Sequence, residues 1–239
     1  VDAMGGENSP KKVIAGILEN YKNNKDVIYN IFGDEDKINH LLPNNFDKEI
    51  FRVFDTKNKI LDTDSPLSAA KKGKDTSMWL AIQSLKDNES DVAISAGNTG
   101  ALFVISKLNL KMIENIDKPA LSALWPNKKN FNVVLDLGAN IECSEKNLVD
   151  FSIMGSSLFK SLYPNENAVV ALLNVGAEEL KGNEKIKKAS QLLQNKTNNN
   201  FNFYGYIEGN KIMDGEVNVV VTDGFTGNIA LKTAEGTAN

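Results

Sequence analysis

The chain has 239 residues, 41% of them hydrophobic and 24% charged, with a formal charge of −4. That balance suits a globular protein with a sizeable core, and it excludes disorder and general nucleic-acid binding, which needs a basic face. No apolar run approaches the ~20 residues of a membrane span and no signal sequence is legible, so a cytoplasmic protein is expected.

Three scarcities limit the chemistry. Cys143 is the single cysteine, which leaves no intramolecular disulfide and no multi-cysteine metal site. His40 and Arg52 are the only histidine and arginine, so an anion must be held by backbone N–H groups, lysines, amides and hydroxyls.

Residues 1–6 (VDAMGG) read as the end of a strand and its loop, so the chain is expected to be a fragment lacking the body of that strand and helices beyond its end. Ser9-Pro10 is a capping residue before a proline and predicts a helix burying Val13, Ile14, Ile17, Leu18 and Tyr21. A strand over 27–32 ends at Gly33-Asp34. A short helix over 35–42 stops at Pro43 and carries His40, read as a surface residue. Arg52 lies in a strand over 50–54. Ser65-Pro66 opens helical sequence to about residue 86, broken at Gly73 and flanked by Lys71, Lys72 and Lys74, which read as solvated surface.

Residues 91–102 (DVAISAGNTGAL) change character twice, from an apolar run read as a buried strand, through small residues, to a helical pattern. Strand, tight loop and helix aim unpaired N–H groups and a helix dipole at one spot, as anion binding requires. The pattern repeats at 133–140 (VVLDLGAN), 169–182 (VVALLNVGAEELKG) and 217–228 (VNVVVTDGFTGN).

Two strands, 120–125 and 131–135, read as a hairpin joined through Pro126-Asn127. A helix follows over 147–163, a strand over 169–173, a helix over 183–193, an asparagine-rich connector over 195–200, strands over 201–206 and 217–221, and a helix from 226. The alternation predicts one α/β domain over 1–239, doubly wound, with a mostly parallel sheet in an αβα sandwich.

In such folds ligands bind beyond the carboxyl ends of the strands. The residues read there are Asp2, Gly5, Gly6, Ser95, Asn98, Thr99, Asp136, Asn140, Asn174, Glu178, Lys181, Gly182, Asn183, Asp223, Gly224, Thr226 and Asn228, expected to converge on one site. Each also has an ordinary use as a cap or turn residue, and only their recurrence after every strand end argues for a site. The dinucleotide fingerprint is absent, since Gly97-Asn98-Thr99-Gly100 stands in its place, and so is a P-loop. Cys143 lacks a histidine partner and reads as a buried spectator.

Taken together, DAMGG at 2–6, SAGNTGAL at 95–102, LDLGAN at 135–140, KGNE at 181–184 and TDGFTGN at 222–228, followed by LKT at 231–233 and EG at 235–236, resemble the PlsX family of bacterial phosphate acyltransferases over essentially the whole chain. Glu7 stands where that family usually has Asp, and residues 174–177 (NVGA) are a variant of its loop. The resemblance implies transfer of a long-chain fatty acyl group from acyl carrier protein to inorganic phosphate, giving acyl phosphate for phospholipid synthesis. It also implies a fold like the isopropylmalate dehydrogenases and phosphotransacetylases, no cofactor and no metal. A homodimer, peripheral membrane association and a downstream membrane glycerol-3-phosphate acyltransferase are implied as well. Lys181 and Asn228 are the expected catalytic pair, stabilising an oxyanion. Asp2, Gly5, Gly6, Ser95, Asn98, Thr99, Asp136, Asn140, Gly182, Asn183, Asp223, Gly224 and Gly227 are expected around the substrate. Two alternatives stand beside this reading: an NAD(P)-dependent oxidoreductase on a related fold, and a non-catalytic phosphate or acyl-carrier binding module.

Overall fold

The computed structural model describes residues 1–195 and 201–238. Contacts group the chain into two compact units, Val1–Lys111 and Met112–Asn239. The asparagine-rich connector lies, from residue 196 on, outside the described residues.

In the first unit, strands β1 (Tyr29–Gly33) and β2 (Phe51–Asp55) pair in parallel, Tyr29 opposite Phe51. Helices α1 (Lys11–Asn23) and α2 (Glu35–Asn39) cover them, burying Ile14, Ile17, Ile31 and Ile38 around the stacked rings of Tyr29 and Phe51, 5.6 Å apart. Full burial of each such aliphatic side chain stabilises by roughly 1.5–3 kcal/mol. Helices α3 (Pro66–Lys71) and α4 (Ser77–Lys86) fall either side of the predicted break at Gly73 and pack with α5 (Thr99–Asn109) through Ala69, Met78, Ile82 and Ile105.

Two expectations in this unit are corrected. Ser9 does not cap α1: the cap position is Pro10 with no side-chain bond, and the Ser9 hydroxyl donates to the carbonyls of Met4 (2.9 Å) and Gly6 (2.7 Å), fastening the first loop. The apolar run at 91–94 is not a buried strand. Val92 and Ile94 are 69% and 59% exposed, because among the described residues the segment pairs only through a bridge between Ser95 and Asp2, too little to build a ladder or to cover side chains. Asp2 also bridges Phe32.

The second unit holds a five-stranded sheet of β3 (Ser122–Pro126), β4 (Phe131–Leu135), β5 (Val169–Leu173), β6 (Asn202–Ile207) and β7 (Val219–Val221), in the order β3-β4-β7-β5-β6. Only the β3–β4 hairpin is antiparallel. Alternation along the strands sends Val133, Leu135, Val170, Leu172, Val219 and Val221 to one face, under α6 (Glu145–Leu162) and α7 (Glu184–Asn195). Val134, Ala171, Leu173 and Val220 face the other side, where Ala230, Leu231 and Ala234 of α8 (Gly224–Ala238) pack. Continuous apolar strands buried on both faces are what a parallel sheet between helical layers requires. A short 3₁₀ helix, Gly209–Asp214, precedes β7 and has no sequence signal. Among the described residues no helix is long and apolar enough to cross a membrane.

Candidate functional site

Strands β4, β7 and β5 lie side by side, so the segments 136–140, 222–228 and 174–183 leave the sheet along one carboxyl edge. The chain then parts: β5 leads to α7 on one face and β7 to α8 on the other. Such a parting opens a crevice between adjacent strand ends. A small cleft of about 120 Å³ lies here, lined by Cys143, Asn183, Lys185 and Asp223 among others. The larger clefts lie elsewhere in each unit, one between α1 and residues 92–94 and one along α6.

Asp136 organises this edge. It is fully buried, and five N–H groups converge on its carboxylate: Leu121 (3.1 Å), Gly138 (3.1 Å) and Ala139 (2.9 Å) on Oδ1, the Asn140 backbone (2.8 Å) and side chain (2.7 Å) on Oδ2. No lone pair is left to point at a substrate, so Asp136 acts by shaping the 136–140 loop. Asn140 also donates to the Pro119 carbonyl at 2.7 Å and accepts from the Gly224 N–H at 2.8 Å. At Gly227 a Cβ would stand 1.9 Å from the Asp136 carbonyl oxygen, so only glycine lets α8 seat against this loop. Asn228, one residue on, is exposed and donates weakly to the Leu137 carbonyl at 3.4 Å.

After β5, the Asn174 amide donates to the carbonyls of Gly176 (3.1 Å) and Lys181 (3.2 Å). Gly182 follows with φ +90°, a conformation that favours glycine. Asn183 then caps α7, its Oδ1 accepting from the Ile186 N–H at 3.0 Å, and Asp223 likewise accepts from Thr226 at 2.8 Å. Lys181 is the one lysine in these three segments, and its exposed ammonium makes no hydrogen bond or ion pair with a described residue. Burial pushes the Cys143 thiol up, with the nearby negative charges of Asp136 and Asp223 adding to the effect. It is therefore a neutral thiol near pH 7 and a poor nucleophile.

The first unit has its own strand-end cluster. Ser95 donates to Asp2 Oδ2 at 2.6 Å and accepts from the Gly97 N–H at 3.1 Å, while Asp2 Oδ1 accepts from Met4. Gly5 and Gly6 lie in the loop that follows. Asn98 caps α5 through the Ala101 N–H at 3.0 Å and donates to the carbonyls of Asp62 (3.0 Å) and Asp64 (2.9 Å), so its amide is spent on the scaffold. What these bonds leave free are the backbone N–H groups of Thr99 and Gly100 at the start of α5 and the exposed Thr99 hydroxyl. Leu121, whose N–H completes the shell of Asp136, is the contributor that side-chain motifs could not have revealed.

The sequence profile of the family described as "Fatty acid synthesis protein" matches residues 1–239. A phosphate acyltransferase from Pelagibacter ubique is 69% identical over 239 residues, covering all of this chain and 72% of that protein. The chain belongs to the phosphate acyltransferase family. A second phosphate acyltransferase, from Maricaulis maris, is 45% identical over 241 residues, covering all of this chain and 68% of that one. Solved structures agree on the fold. A phosphotransacetylase from Streptococcus pyogenes superposes with TM-score 0.66 at 14% identity, over 94% of this chain and 78% of that one. A branched-chain phosphotransacylase from Enterococcus faecalis gives 0.64 at 12% identity, over 98% and 82%. The phosphate acyltransferase chain thus has the mostly parallel α/β architecture, similar to the phosphotransacetylases, that its sequence predicted.

Proposed function

We propose that this protein transfers a long-chain fatty acyl group from the thioester of acyl carrier protein to inorganic phosphate, giving acyl phosphate for phospholipid synthesis. The observation that carries the reading is the edge formed by 136–140, 174–183 and 222–228 in a member of the phosphate acyltransferase family, with Lys181 unpaired beside glycine turns and helix starts.

Phosphate needs little activation, because its second ionisation falls close to neutrality and a substantial share is already dianionic there. Catalysis then rests on positioning and charge stabilisation rather than on a strong base, which suits a chain with one histidine. A phosphate oxygen attacks the thioester carbonyl, and the carbonyl π electrons move onto oxygen to give a tetrahedral oxyanion. Its collapse breaks the C–S bond and releases the carrier's thiolate. Lys181 and the Asn228 amide stabilise the oxyanion. The free N–H groups at the helix starts beside Lys181 and Asn228 are assigned to phosphate. Cys143, neutral and buried, takes no acyl group. The proposal extends to a cytoplasmic homodimer that associates peripherally with the membrane and passes acyl phosphate to a membrane glycerol-3-phosphate acyltransferase.

The test is release of carrier thiol, followed with and without phosphate, with the product trapped by hydroxylamine as the acyl hydroxamate. Phosphate-dependent hydroxamate supports the reading, and thioester hydrolysis indifferent to phosphate contradicts it.

A further inference from the structure

Residues 175–181 leave β5 and return to α7 almost without packing. Val175 and Leu180 are 81% and 88% exposed, and only Gly176 is buried. A segment so bare needs another restraint if it is to present Lys181 in one place.

That restraint is Asn174. Its backbone N–H donates to the Ile207 carbonyl at 2.9 Å, fixing it to the end of β6, and the residue is only 8% exposed. The amide nitrogen reaches both ends of the loop, donating to the Gly176 carbonyl at 3.1 Å and the Lys181 carbonyl at 3.2 Å. Both neighbours are acceptors, which fixes the amide with its nitrogen toward them. Its Oδ1 is buried without a partner and faces the turn, where a Cβ on Gly182 would come within 2.3 Å. The Lys181 stem in turn runs over Gly176, its Cγ 3.1 Å from where a Cβ on that glycine would be. Both ends of the loop that carries Lys181 therefore meet at one buried amide, a side chain to which the acyl-transfer chemistry itself gives no task.

We propose that Asn174 is a positioning residue for Lys181, closing the 175–181 loop at its neck so that the ammonium is held over the strand-end edge. The inference rests on the oxyanion role assigned to Lys181. Asn174→Asp keeps the shape but turns an anionic oxygen toward two carbonyls, so it should be at least as damaging as Asn174→Ala.

The test is a double-mutant cycle on the intact protein with Asn174→Ala, Lys181→Ala and the double variant, read by turnover and by amide hydrogen exchange of residues 175–182. In Asn174→Ala, exchange in that segment should rise about tenfold or more while the melting temperature stays close to wild type. The kcat should fall about tenfold with the KM for phosphate little changed, and the double variant should be no slower than Lys181→Ala. Unaltered exchange overturns the clamp whatever turnover does. Raised exchange with unchanged kcat, or losses that multiply in the double variant, overturns the positioning role. Wild-type protein that makes no acyl phosphate sinks the acyl-transfer reading instead, and exchange still decides the clamp.

Discussion

Asp136→Asn keeps the size of the side chain and replaces one acceptor oxygen with an NH₂ group. In the wild type Oδ1 takes the N–H groups of Leu121, Gly138 and Ala139, and Oδ2 takes two from Asn140. The better amide orientation keeps its oxygen at the Oδ1 position, which leaves the new NH₂ facing the two Asn140 donors. Each buried donor left without an acceptor costs about 1–3 kcal/mol, so the variant should lose about 2–6 kcal/mol. That is a large share of the roughly 5–15 kcal/mol that stabilises a typical domain. The side chain of Asn140 softens the loss by keeping its 2.7 Å bond to Pro119, which places the expectation toward the lower half of the range. The assay is urea unfolding followed by Trp125 fluorescence in a Trp79→Phe background, since Trp125 packs in the core of the second unit. A loss under about 1 kcal/mol at unchanged m-value would refute the role given to the five-donor shell.

Three further outcomes follow from the same geometry. Gly227→Ala should destabilise by about 1–3 kcal/mol, because the methyl meets the Asp136 carbonyl and α8 or the loop must shift; thermal unfolding unchanged from wild type would contradict that contact. Cys143→Ser should retain most activity, and in the wild type the raised Cys143 pKa predicts alkylation at pH 8 slower than that of free cysteine, so rapid labelling or an acyl group trapped on Cys143 would contradict the direct route. Hydrogen bonds from Lys128 and Lys211 hold the Asp214 carboxyl below its usual range. A lowered folded pKa stabilises above the unfolded value and is lost as pH falls, so the stability gap between wild type and Asp214→Asn should be present at pH 6 and fade below about pH 4; a gap independent of pH would refute the pairing.

Local patterns carried much of this fold into view. The alternation Val133, Leu135 against Val134 and the runs 169–173 and 219–221 announce strands buried on both faces, and Gly73 marks the break between α3 and α4. The misreadings arose where partners distant in sequence decide the outcome. Ser9 has a capping side chain but spends it on Met4 and Gly6, and residues 91–94 are apolar enough for a strand but have only Asp2 to pair with. At the site, the loops were legible as Asp/Asn/Gly segments after strands, but the division of labour was not. Asp136 and Asn98 look like ligand residues in sequence and turn out to be saturated by the scaffold, while Lys181 is left free.

The measurement that bears most directly on the account is the rate of acyl phosphate formation from acyl carrier protein thioester and phosphate by wild-type protein and by Lys181→Ala. Removing one preorganised oxyanion donor typically lowers turnover by ~10²- to 10³-fold, so the variant should fall at least about a hundredfold. Its melting temperature should stay within a few degrees, because the side chain is exposed and unpaired. Near wild-type turnover by Lys181→Ala would contradict the oxyanion role.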